Sequence, residues 1–189
     1  EKQIELGSET NADEKKEVAY LLKLEELGEK PDQLISWFLW ADDMGPDGKV
    51  RRTATDMYFA EVRPFEEIFR RDNSGGEDGG GGGGGQSESE KLGEMQKQIV
   101  SATWNLKRAE DGAEKPSEKY LKDEPVVRDS QSDAIEKAKK LVEKAEDPQT
   151  HALAENAVRE MQTALDHLTK AATATAPLSD ALTAEQSAY

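Results

Sequence analysis

Seven consecutive glycines, Gly79 to Gly85, sit within the stretch Asn73–Gln86 and divide the chain in two. Glycine buries no side chain and loses the most backbone entropy on folding, so this stretch is expected to pack nothing of its own. No Gly-Lys-Ser/Thr follows it, and no strand and helix frame it as they frame a phosphate loop. It reads as a flexible tether, whose fourteen residues would span roughly 20 Å if unstructured. The expected class is α+β. Residues 1–72 would be a partial β-module ending in a short helix, 73–86 the linker, 87–176 a three-helix antiparallel bundle, and 177–189 the start of a further helix.

Charge narrows the function. The net charge is −15 over 189 residues, which repels nucleic-acid phosphates and anionic membrane surfaces. The hydrophobic fraction, 35%, barely exceeds the charged fraction, 34%. Long solvated helices account for that balance better than one thick core. There is no cysteine, so disulfide and thiol chemistry are excluded. No apolar run approaches a membrane span. The chain starts at Glu1 and its first methionine is Met44, so it is expected to be a piece of a longer protein, with any membrane attachment lying in other parts.

Before the glycines, the run Ile35 to Ala41 is aromatic and aliphatic on both faces and reads as a buried strand. Asp42 to Lys49 is dense in turn residues, with Asp47-Gly48 inside it. Thr53 to Val62 alternates as a second strand, so the two are expected to form an antiparallel hairpin. Gln3 to Leu6 reads as another short strand, and Leu21 to Leu27 as an extended segment. Pro64, Glu66 and Glu67 suit a first helical turn, with Phe65, Ile68 and Phe69 on one face. A hairpin alone is marginal in water. Trp37, Phe38, Trp40 and Phe59 therefore call for a covering layer.

The run from Leu24 to Asp43 resembles the closing strands of immunoglobulin-like and fibronectin-type domains, with Trp37 or Phe38 where their corner tyrosine stands. The resemblance implies that the β-part is the end of an immunoglobulin-like sandwich.

After the glycines, Ser87 or Ser89 can cap a helix, with Glu90 nearby. Leu92, Met95, Ile99, Ala102, Leu106 and Ala109 then recur at heptad spacing. Gly112 and Pro116 end that helix. A second helical block covers 117–146, with Pro125 expected to split off Tyr120 and Leu121 on a short first piece. Asp147-Pro148 signals a third helix, expected to lie antiparallel to the second across a short loop. The candidate helix-interface residues are Leu92, Met95, Ile99, Leu106, Ile135, Leu141, Met161, Leu165 and Leu168. A face of this kind must be buried on something: partner helices of the same chain, a second copy, or another protein.

Catalytic and metal-binding signals are weak. Asp42, Asp43 and Asp47 offer oxygens for a hard cation, but their spacing is not that of a calcium loop, and hairpin-turn residues are the better reading. His151 and His167 lie sixteen residues apart on one expected helix, with no HExxH pair and no cysteine, so no zinc site is expected. No serine has a triad pattern around it. Trp104 reads as helix core. No catalytic residue, cofactor, metal or small-molecule substrate is expected.

The residues Asp56 to Phe69, the glycine run, and Gln96 to Leu106 together resemble large bacterial envelope proteins that join an immunoglobulin-like domain through a Gly-rich stretch to long coiled-coil helices. The resemblance implies a cell-envelope location. The functional expectation is a non-catalytic structural or protein-interaction piece, whose helices scaffold or bind partners and move on the tether. The alternative is a β-module that binds a glycan or peptide through Trp37 and Trp40, which requires at least one of those rings to stay exposed.

Overall fold

A computed structural model describes residues 2–7, 17–23, 33–62, 88–111, 113 and 115–189. The glycine stretch and the helix expected from Pro64 lie outside the described residues. Within them the protein is α+β: β1 (Leu34–Trp37), β2 (Trp40–Met44), β3 (Val50–Ala54) and β4 (Tyr58–Glu61), then α1 (Glu88–Ala109), α2 (Glu118–Lys144), α3 (Pro148–Ala171) and α4 (Leu178–Ser187). Residues 3–6 and 21–23 form no regular element.

The four strands are one antiparallel hairpin in two steps. β2 pairs with β3 from Trp40↔Ala54 to Met44↔Val50, and β1 pairs with β4 from Leu34↔Glu61 to Trp37↔Tyr58. Its tip is narrower than Asp42 to Lys49. Gly45 N–H donates to the Lys49 carbonyl, Gly48 N–H donates to the Gly45 carbonyl, and Gly48 has φ +72°. That left-handed position suits glycine, as in a hairpin turn closed by a glycine bulge.

Between the two steps, Phe38 and Leu39 face Thr55, Asp56 and Met57, one residue more on the second strand. This is a β-bulge. Leu39 N–H donates to Thr55 Oγ1, and Thr55 N–H donates to the Leu39 carbonyl. The bulge flips the side-chain alternation of β4. Without it, Asp56 and Tyr58 would face inward; with it, Met57 and Phe59 do.

The helices follow their caps. Glu110 accepts from both Ser117 N–H and Ser117 Oγ, and Ser117 Oγ accepts from Tyr120 N–H to start α2. Asp147 accepts from Thr150 N–H at 2.8 Å and leads into Pro148 at the start of α3, as its sequence predicts. Pro125 does not split the second block: α2 runs unbroken through it. Proline in a helix interior costs about 3 kcal/mol, and the first turn is held by tertiary contacts that offset it. Tyr120 is buried, and its hydroxyl donates to the Ala171 carbonyl at 2.7 Å.

The bundle has four helices among the described residues. α1 packs on α2 and α4, and α3 packs on α2 and α4, so the four close a ring. α4, expected as the start of a further helix, buries Leu178, Ala181, Leu182 and Ala184 in the shared core. Small residues line this core, Ala164 and Ala171 on α3 and Ala134 and Ala138 on α2, all buried, which lets helix axes approach closely. Leu168 is fully buried in the middle of this core. Leu168→Ala is expected to lower unfolding free energy by about 2–5 kcal/mol, measured by urea denaturation followed by circular dichroism.

Candidate interaction surface

The hairpin's inner face is docked on α1 and α4. Met57, Val100, Trp104 and Leu182 form one buried cluster, with Phe38, Ala54 and Phe59 packed against it. The Phe38 and Trp104 ring centroids lie 4.0 Å apart. Polar groups around the cluster join the same two parts. Trp104 Nε1 donates to the Thr55 carbonyl at 3.1 Å, a carbonyl within the bulge. Arg108 donates to the Ala54 carbonyl and pairs with Asp56. Gln186 Nε2 donates to Ser36 Oγ at 2.7 Å. Lys97 and the Tyr189 hydroxyl both reach the Glu61 carboxylate. Burial draws the Lys97 ammonium down, but its bonds to Glu61, Glu94 and Tyr189 outweigh that and hold it well above the ordinary lysine value. The described strands and helices therefore share a core. Free movement of a helical module relative to the hairpin, expected from the tether, is not what these contacts support. The covering layer for the hairpin's aromatic face comes from helices of this chain. Among the described residues the strands form two two-stranded sheets, with no second sheet packed on them as a sandwich.

Among the described residues nothing covers the outer face of the hairpin. Trp37 and Tyr58 oppose each other across the ladder, 41% and 49% exposed, with ring centroids 6.0 Å apart and planes 24° from parallel. Leu39 extends the patch and is also exposed. Trp40 lies on the inner side, half-buried against Phe38, with the Arg52 guanidinium 5.3 Å from its ring centroid. The two tryptophans flanking the bulge thus have different fates.

Beyond the bulge the hairpin is held by cross-strand charge. Asp42 pairs with Arg52 through two hydrogen bonds of 2.7 Å, and Asp43 pairs with Arg51 directly opposite it. Adjacent strand residues point to opposite faces, so one ion pair lies on each. The Arg52 hydrogen bond holds the Asp42 carboxyl below the ordinary aspartate value. Asp42 and Asp43, expected in the turn, are therefore strand residues. Asp47 remains in the turn and accepts from Lys49 N–H. No group of three or more possible metal ligands occurs among the described residues.

The candidate helix-interface residues come together inside the chain. Ile99, Leu106, Ile135, Met161 and Leu168 lie in one core cluster, and Leu92, Met95 and Leu165 pack against it; Leu141 is half-buried. Their seam is spent on partner helices of the same chain. His151 sits 3.6 Å from Glu155, and His167 sits 3.9 Å from Asp180. A shallow groove between α2 and α3 is lined by Lys139, Val142, Glu143, Glu155, Val158, Arg159 and Gln162. It holds charges of both signs and no hydroxyl or thiol nucleophile.

Sequence reasoning missed the polar groups inside the bundle. Gln96, Thr103, Glu124, Gln131 and Glu185 are all buried. Gln131 Nε2 donates to the Met161 carbonyl, and Gln96 Nε2 donates to the Glu185 carbonyl. Burial pushes the Glu124 carboxyl above the ordinary glutamate value, against the opposing pull of Arg128. One signal was legible. Leu178, Ala181, Leu182, Glu185 and Tyr189 recur at steps of three, one, three and four, which sets Glu185 on the apolar stripe of α4.

The chain matches no known protein family, no curated protein and no solved structure.

Trp104 joins hairpin and bundle, packed against Phe38 within their shared cluster. Trp104→Ala is expected to cost about 3–5 kcal/mol of stability and to abolish amide protection in β1–β4, read by hydrogen exchange and mass spectrometry.

Proposed function

We propose that this chain is a non-catalytic protein-interaction module in which the helical bundle is a scaffold and the hairpin's outer face meets a protein partner. The observation that carries this reading is the exposed Trp37–Tyr58 pair on a face whose reverse side is locked to α1 and α4. Exposed aromatic rings on a rigid backing lose little conformational entropy on binding and contribute strongly at interfaces. The candidate helix-interface residues support the scaffold half of the reading, since their apolar faces are already buried within the chain. The net charge of −15 disfavours a second copy of the chain as partner and favours one of opposite sign.

The bacterial envelope setting is part of the proposal and rests on the sequence resemblance. None of the described helices is long and apolar enough to cross a membrane, so attachment in that setting comes from outside them. Glycan binding is the second reading. It keeps Trp37 as a stacking platform and loses Trp40, which is half-buried beneath Arg52.

Photo-cross-linking from a benzophenone amino acid at position 58, in cells of the source organism, tests the proposal, with position 122 on the exposed surface of α2 as control. Adducts are expected from position 58 only, and Trp37→Ala is expected to reduce them about tenfold while changing stability by less than about 1 kcal/mol. Equal adduct patterns from both positions, or undiminished adducts in the Trp37 variant, would count against the proposal. Retention on a glycan array that is lost in Trp37→Ala would favour the second reading.

A further inference from the structure

We propose that α4 is a latch whose docking tightens as the medium acidifies, because Glu185 enters the interface between α1 and α4 as the neutral acid. Three observations lead there. Glu185 is 0% exposed in the last turn of the helix that closes the ring. Among the described residues its carboxyl has one bonded neighbour, the Thr103 hydroxyl at 2.7 Å on Oε1, while Oε2 is buried with no partner. And α4 is the element that ties the three parts together. Leu178 and Ala181 lie in the helical core, Leu182 lies in the cluster beneath the hairpin, and Gln186 bonds Ser36.

Among the described residues no neighbouring charge compensates the carboxylate. On α1, Lys97 is committed to Glu61, Glu94 and Tyr189, and Arg108 to Asp56 and the Ala54 carbonyl. On α3, His167 faces Asp180, which lies on α4 itself. On the hairpin, Glu61 and Asp56 are engaged with the same α1 cations. None of these groups bonds the Glu185 carboxyl. A carboxylate left buried without a countercharge is strongly disfavoured, so docking takes a proton from solvent onto this group.

Burial pushes the Glu185 carboxyl up to about 8 from an ordinary 4.5, against the Thr103 hydrogen bond, which pulls it down. A carboxyl raised in the docked state binds its proton there while the undocked helix has released it. The docked form therefore keeps its full stability below 4.5 and loses it progressively as pH rises toward about 8. Between those limits the ratio of docked to undocked α4 falls nearly tenfold per pH unit, or roughly 70-fold from pH 5 to pH 7. Opening would withdraw Leu182 from the cluster beneath the hairpin and break the Gln186–Ser36 bond, so this pH range governs how firmly the outer face is backed.

Native-state amide exchange on the full chain and on Glu185→Gln tests this. At any one pH the intrinsic exchange rates are the same for both, so the ratio of their α4 rates reports the ratio of opening constants. That ratio, wild type over variant, is expected to rise roughly 70-fold from pH 5 to pH 7. The α4 amides of the wild type are also expected to exchange faster than those of α2 and α3, as a separately opening unit. A ratio that does not change with pH overturns the proposal. So does α4 protection equal to that of α2 and α3, because then only the whole fold opens. If the variant fails to fold, a carbon-13 titration of the Glu185 carboxyl in the wild-type chain decides: a midpoint near 8 supports the latch, and one below 6 sinks it.

Discussion

A two-stranded hairpin has two faces and no layer of its own to hide either of them. In this protein the meeting of Phe38 with Trp104 resolves the problem for one face. Trp104 also anchors its indole N–H on the carbonyl of Thr55, so the same side chain supplies both apolar cover and a directional bond to the bulge. The bundle is built outward from that contact. α1 carries Trp104 on one side and the helical core on another, and α4 returns to close both clusters. Because the hairpin's inner face is occupied by the bundle, its outer face is held at a defined angle to the helices.

The bulge decides which residues each face receives. One added residue between β3 and β4 exchanges an inward Asp56 and Tyr58 for an inward Met57 and Phe59. The same exchange turns Tyr58 outward beside Trp37. The anchor and the exposed aromatic pair are therefore two consequences of one register shift. The two ion pairs at the tip join the strands where none of the described helices covers them.

The helical half joins close packing to polar groups buried within it. Small residues at Ala134, Ala138, Ala164, Ala171, Ala181 and Ala184 let helix axes approach. Some of the polar groups among them donate to backbone carbonyls, as Tyr120 does to Ala171 and Gln131 Nε2 to Met161. Gln96, Glu124, Gln131 and Glu185 each keep one buried oxygen with no hydrogen-bond partner among the described residues, and of these Glu185 is the carboxyl at 0% exposure, bonded to the Thr103 hydroxyl. A buried acid at the α1–α4 interface makes the attachment of the last helix responsive to protons in a way that an alanine there would not be.

Local chemistry announced several elements before any packing was known. The Asp147-Pro148 start of α3, the heptad stripe of α1 and the Asp47-Gly48 turn are each specified within a few residues by capping, periodicity and backbone freedom. The α+β class followed from them. Other features depended on partners far along the chain. Pro125 reads as a break because a proline removes a helical hydrogen bond. Only the hydroxyl of Tyr120 reaching Ala171, 51 residues away, makes an unbroken α2 affordable. Asp42 and Asp43 read as turn residues until Arg52 and Arg51 lie across from them. The bulge is invisible locally, since it exists only as a difference in length between two paired segments. Sequence by itself thus determined where helices and the hairpin start, because caps and turns act over four or five residues. Only the tertiary structure decided which tryptophan is exposed, what covers the hairpin and where Glu185 resides, because burial is a property of what comes to lie opposite.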